Sequence, residues 1–240
     1  MIGLGTIINV CCIVGGGLVG YGVGHRLTEP MKETVLTMTG VGIFVLGLGG
    51  TLSQMLVLTD GHLSTTGTLM LVISLALGAI IGEALHMEDR IIRFGQWLKV
   101  KSRSNGDHAF VTAFVTASCT VCIGAMAIMG AIQDGIYGDF SILVAKGIID
   151  SIIICIMTAS LGKGCIFSAL PVGIVQGLVT LLAAGLGNLL TPEALHALSL
   201  VGSVLIFCVG LNLMRKKQIR IANVLPALVI AVLWGTFIPI

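Results

Sequence analysis

Residues 138–161 read GDFSILVAKGIIDSIIICIMTASL. From Phe140 onward the run is long enough to cross a hydrocarbon core of about 30 Å, which takes about 20 helical residues. Lys146 and Asp150 interrupt it four residues apart, hence on one helix face. Counted from Phe140 at about 1.5 Å per residue, they lie about 9 and about 15 Å deep. Inserting either group unpaired costs on the order of 2.5 to 3.5 kcal/mol, so neither should face lipid. A span that carries an amine and an acid near mid-membrane implies a protein-lined or wet interior face.

The rest of the chain agrees with a membrane setting. Of 240 residues 56% are hydrophobic and only 10% charged, with a mean hydropathy of +1.08. This is too apolar for a water-soluble domain of the same size. Eight spans are expected, at about 4–24, 34–57, 67–86, 109–132, 140–160, 167–188, 195–214 and 221–239, with seven as the alternative. The first reads as a retained span rather than a cleaved signal, being long and followed, not preceded, by positive charge. The seven cysteines lie almost entirely in apolar runs and set no disulfide framework. A net charge of +2 gives no reason to expect nucleic acid.

Twelve of the thirteen Lys and Arg residues occupy four breaks between spans. The first, third, fifth and seventh connections hold Arg26 and Lys32; Arg90, Arg93, Lys99, Lys101 and Arg103; Lys163; and Arg215, Lys216, Lys217 and Arg220. The alternate connections hold none, carrying Asp60, His62, Asp134, Asp139, Glu193 and His196 instead. The positive-inside rule then puts both termini on the extracytoplasmic side. The basic segment 87–108, with Ile91, Ile92, Phe94 and Trp97, can form an amphipathic helix at the cytoplasmic surface.

Sliding the chain by 163 positions superposes Gly22, Gly24, Leu27, Thr28, Val41, Ile43, Phe44, Gly47 and Leu48 on Gly185, Gly187, Leu190, Thr191, Val204, Ile206, Phe207, Gly210 and Leu211. Spans one and two thereby match spans six and seven. Five spans separate the partners, an odd number, so the copies cross in opposite directions, as in secondary transporters built from inverted repeats. The expected organisation is a first three-helix repeat at 1–86, a basic cytoplasmic loop at 87–108, a central helical hairpin at 109–163, and a second, inverted three-helix repeat at 164–240. Gly16, Gly20 and Gly24 give span one a small-residue face on which another backbone can pack closely. Such faces could equally join a second copy of the chain.

The segment GAMAIMGAIQDG at 124–135 leads into the charged span. Its glycines, with Gln133 and Asp134, suggest either a broken helix end that presents backbone groups to a solute, or an outer terminus capped by Asp134 and solvated. Gln176 lies deep enough in span six to reach a midplane cavity. Asn9, Gln54, Asn188, Asn212 and Asn223 read as amides that bond between helices. Glu83 reads as snorkelling to the interface. Cys119, Cys122, Met126 and Met129 form a sulfur stripe that suits Cu(I) in principle, but no Met-rich or His-rich entry segment accompanies it; packing is the preferred reading, and no metal or cofactor is expected. The five histidines sit at span ends. No nucleophile elbow, H-E-x-x-H or P-loop occurs, so an enzyme is not expected.

GTIINVCCIVGGGLVG near the start, CIGAMAIMGAIQDG with GDFSILVAKGIIDS in the centre, FSALPVGIVQGLVTLL and the late IRIANVLPALV resemble the YqgA/YdfK family of bacterial integral membrane proteins, whose function is unknown. The resemblance covers essentially the whole chain, and Gln133, Asp134, Gly135, Asp139, Lys146 and Asp150 fall where that family carries the same residues. Cys119 and Met129 look more particular to this chain. The resemblance implies the bacterial inner membrane and no settled substrate.

The expectation is therefore an all-α, multi-pass membrane protein working as a secondary transporter of a small polar or anionic solute, with proton coupling as one option. Lys146 and Asp150 stand at its centre, and Gln133, Asp134 and Gln176 line its walls. A scaffold or sensor in contact with membrane lipid, or a passive channel, are the alternatives. Finding the acid and amine sealed in dry surroundings would remove the transporter reading.

Overall fold

The computed structural model describes residues 2–59, 61–104, 106–107, 109–122, 125–186, 191–215 and 219–238. Asp60, His108, Gly124, Gly187, Asn188, Leu190, Lys216 and Lys217, singled out above, lie outside them. The helices are α1 (Leu4–Gly24), α2 (Glu29–Met55), α3 (Thr68–Ala84), α4 (Met87–Lys101), α5 (Phe110–Cys122), α6 (Ala125–Tyr137), α7 (Ser141–Leu161), α8 (Ala169–Leu186), α9 (Pro192–Met214) and α10 (Pro226–Phe237). Short 3-10 turns, Lys163–Ser168 and Ile221–Val224, lead into α8 and α10. Five helices are long and apolar enough to cross a membrane, rising to seven if each of two bent pairs is one span; Ile221–Phe237 is a shorter apolar stretch.

Three expectations need correction. The span at 109–132 is not continuous: α5 and α6 meet at 60°. Within the 124–135 segment the described part, α6, runs unbroken from Ala125 through Gly130, Gln133 and Asp134. The second connection is not a plain loop. Strands β1 (Leu56–Thr59) and β2 (His62–Thr65) pair antiparallel, with Leu58 opposite Leu63, around Gly61 at φ 78°. The left-handed conformation suits glycine, and Asp-Gly is a two-residue hairpin signal that reading for apolar runs overlooked. The basic segment does form a helix, α4, bent 56° from α3, with Phe94 stacked on Trp97.

The chain divides into two compact units. The first is Met1–Thr39 with Arg90–Leu189. Here α1 lies along α7 in the same direction: an added Cβ on Gly16 would sit 2.2 Å from the Ser151 carbonyl oxygen, on Gly20 2.1 Å from that of Cys155, and on Gly24 2.8 Å from that of Ala159. Matching four-residue steps on both helices are what a small-residue face permits in lipid, where close backbone packing supplies attraction that hydrophobicity does not. The face read from Gly16, Gly20 and Gly24 is therefore occupied within the chain. Leu98, Phe110 and Phe114 form an aromatic cluster with Phe167 packed on it.

The second unit is Gly40–Asp89 with Leu190–Ile240. Met70, Ala197, Leu200, Val201, Ala227 and Ala231 make its core, contributed by α3, α9 and α10. Gly82 of α3 abuts the Asn223 carbonyl so tightly that a Cβ would fall 1.8 Å from it. Gly47 of α2 meets the backbone of Phe207 and the Ser203 carbonyl, while Gly210 of α9 meets the backbone of Phe44 and the Gly40 carbonyl. The Phe44 and Phe207 rings lie 4.3 Å apart between these two contacts. α2 from Gly40 onward and α9 consequently run antiparallel.

Candidate functional site

Lys146 and Asp150 lie in the middle turns of α7 with side chains 8% and 6% exposed. The i, i+4 spacing lets the ammonium donate to the carboxylate directly. Its second partner is backbone: Nζ donates to the Val121 carbonyl at 2.8 Å. Val121 belongs to α5, close to its bend with α6. Asn9 of α1 reaches the Asp150 carboxylate, and it also donates to Gln176 of α8 at 3.2 Å. Asn9 Oδ1 and Gln176 Nε2 are buried without partners.

Gln176, 1% exposed, is therefore joined through Asn9 to the charged pair, as its depth in span six suggested. Asp134 is not a solvated outer terminus. It is fully buried in α6, and one carboxylate oxygen accepts the Gly5 N–H at 3.0 Å, at the start of α1. Gln133 is half-buried beside it, and its carbonyl accepts the Asp139 N–H at 3.3 Å. The sulfur stripe does not persist, because the 60° break puts Cys119 and Cys122 on α5 and Met126 and Met129 on α6. A groove lined by Cys12, Gly16, Val19, Ser151, Ile152 and Cys155 runs beside the α1–α7 contact.

Sequence reasoning missed the roles of Val121 and Asn9. A backbone carbonyl has no signature of its own, and only Gly124 hinted at the break. Asn9, an amide in an otherwise apolar opening, was visible but indistinguishable from an ordinary interhelical bond.

At the end of α3, Glu83 binds Arg220 at 2.9 Å and is bonded to Asn223, whose Oδ1 accepts the Glu88 N–H at 2.7 Å. Glu83 thus ties the end of α3 to the turn before α10. Burial raises the Glu88 carboxyl above its ordinary value, against the pull of Arg220 and with Asp89 and Glu83 pushing the same way.

An interior charged pair bonded to the backbone of a neighbouring helix, inside a bundle of apolar helices, defines a polytopic helical membrane protein with a polar centre. The chain belongs to the family described as "Protein of unknown function (DUF554)", matching it over residues 4–236. It is 24% identical over 226 residues to the uncharacterized membrane protein YdfK of Bacillus subtilis (strain 168), covering 94% of this chain and 93% of that one. It is 29% identical over 232 residues to the uncharacterized protein YqgA of Escherichia coli (strain K12), covering 95% and 94%. No solved structure matches it.

Proposed function

We propose that this protein is a secondary transporter of a small anionic or polar solute, coupled to protons, with Lys146 and Asp150 at the exchange point. The observation that carries the reading is the Lys146 ammonium shared between Asp150 and the Val121 carbonyl, near the bend between α5 and α6. Discontinuous helices that offer terminal carbonyls beside ionisable groups are how carriers hold ions and solutes at mid-membrane. An anionic solute would take Lys146, and Asp150, losing its cation, would take up a proton. One negative charge and one proton then move together, with no net charge left in the interior. Gln176, Asn9, Gln133 and Asp134 would line the path.

The reciprocal contacts Gly47–Phe207 and Gly210–Phe44 support an inverted repeat, since each position lies 163 residues from its counterpart. Each compact unit also draws helices from both of the expected copies. We place the protein in the bacterial inner membrane with both termini extracytoplasmic, acting without enzymatic chemistry. A second copy would have to use glycines facing open space, such as Gly42 and Gly49 on α2.

The test uses proteoliposomes loaded with a pH-sensitive dye and exposed to a panel of small carboxylates and polar solutes. The expected result is a saturable, solute-dependent change of internal pH that Asp150→Asn abolishes while helicity is retained. Flux that neither saturates nor exchanges indicates a channel. A cysteine at position 150 that no thiol reagent reaches from either side, in the absence of any flux, indicates a scaffold.

A further inference from the structure

Five of the nine buried side-chain polar atoms without partners, among the described residues, come from α1, α6 and α8: Thr6 Oγ1, Asn9 Oδ1, Asp134 Oδ1, Gln176 Nε2 and Thr180 Oγ1. Their positions are linked. Asn9–Gln176 and Val10–Gly173 set an antiparallel register of α1 on α8, which brings Thr6 to the level of Thr180. Asp134 bonds to Gly5, next to Thr6, while Gly135 abuts the Thr180 carbonyl, where a Cβ would be only 2.5 Å away. These contacts bring Thr6, Thr180, Gly135 and Asp134 into one neighbourhood, where their free oxygens gather.

Two features point to a ligand there. Thr180 is buried in mid-helix yet does not return its hydroxyl to the carbonyl four residues back as Thr39, Thr51, Thr120 and Ser203 do, a lapse it shares with Ser118, Thr158 and Ser160; Thr6, in the first turn of α1 with no helical carbonyl four residues back, is buried without a partner as well. Asp134, fully buried, has no basic partner among the described residues; only the Gly5 N–H at a helix N-terminus opposes its charge. A buried carboxylate stays ionised only with compensating positive charge.

We infer that Asp134, Thr6, Asn9 and Thr180 form a binding site for a desolvated monovalent cation of sodium size. All four free acceptors are oxygens, the donor type that hard cations take. The single carboxylate balances one positive charge, not two. The tight approach of α6 to α8 at Gly135 keeps the space small, favouring sodium over potassium. Gln176 stands at its edge, its oxygen held by Asn9. The site shares Asn9 with the charged pair, but its test reads binding rather than transport, so the two readings fail separately.

Purified protein in detergent is heated in NaCl, KCl or choline chloride at constant ionic strength. The expected result is a sodium-dependent rise in melting temperature that saturates and is weaker in potassium. In Asp134→Asn the NaCl needed for half the effect increases by about tenfold or more. Thr180→Ala, which keeps the carboxylate, provides a second variant should Asp134→Asn fold poorly; it is expected to weaken sodium in the same direction. Infrared difference spectra with and without sodium supply an independent reading. A protonated-carboxyl band that Asp134→Asn removes and sodium leaves unchanged would overturn the inference, as would melting curves identical in sodium and choline.

Discussion

Gly47 touches Phe207 backbone to backbone, and the same meeting recurs with the helices exchanged, Gly210 against Phe44. In both, an added Cβ would lie 2.3 Å from the phenylalanine nitrogen. Gly47→Ala and Gly210→Ala should therefore each cost about 1 to 3 kcal/mol, with closely similar shifts. Because the sites share neighbours, the double variant should not be additive. Unfolding in micelles checks both statements; markedly unequal single effects would break the equivalence.

Removing one member of the central pair leaves the other buried and uncompensated. Asp150→Leu or Lys146→Met alone should destabilise by about 3 to 5 kcal/mol, and the double substitution should recover most of that. If Lys146 and Asp150 serve only packing, the double variant behaves as wild type in every assay. If they serve exchange, stability returns and solute-driven proton movement does not.

Gly20→Val places a side chain against the Cys155 carbonyl and should lower the melting temperature, by overpacking worth about 1 to 3 kcal/mol. Gly22→Ala, facing open space one turn position away, should be neutral or slightly stabilising, by up to about 1 kcal/mol. The contrast between two glycines of one helix separates close approach from helix propensity.

Glu88 ties stability to pH. Its carboxyl is held above the ordinary value of 4.5, so the folded state binds its proton more tightly than the unfolded state does. Its contribution is full below 4.5 and is lost as pH rises through the raised folded value. Glu88→Gln should flatten the fall in melting temperature across that window and leave acidic samples unchanged. Melting curves over a pH series provide the measurement.

The charged pair could be read from sequence because a lysine and an aspartate in an apolar run have no innocuous location. Gly16, Gly20 and Gly24 could be read because their period matches the helix. The bend between α5 and α6 was legible only as one of two readings of the glycine-rich segment 124–135, and the Val121 carbonyl that Lys146 meets was not legible at all, since a backbone carbonyl belongs to every residue alike. Asp134 was visible as a residue, but the sequence left a broken helix end and a solvated outer terminus both open; its burial removes the second, and Gly135 serves to seat α6 on α8. The hairpin was missed because Leu56 and Val57 extend the apolar run of α2 and hide the Asp-Gly turn.

The matched notches of α1 and α7 act like teeth on a rack. Sliding one helix along the other is permitted only by a whole turn, about 5.4 Å, because smaller steps drive carbonyls into Cα hydrogens. Asn9, Lys146 and Asp150 must consequently travel as cargo on a single stiff strut. Any opening toward either face of the bilayer would have to come from the pieces that strut leans on.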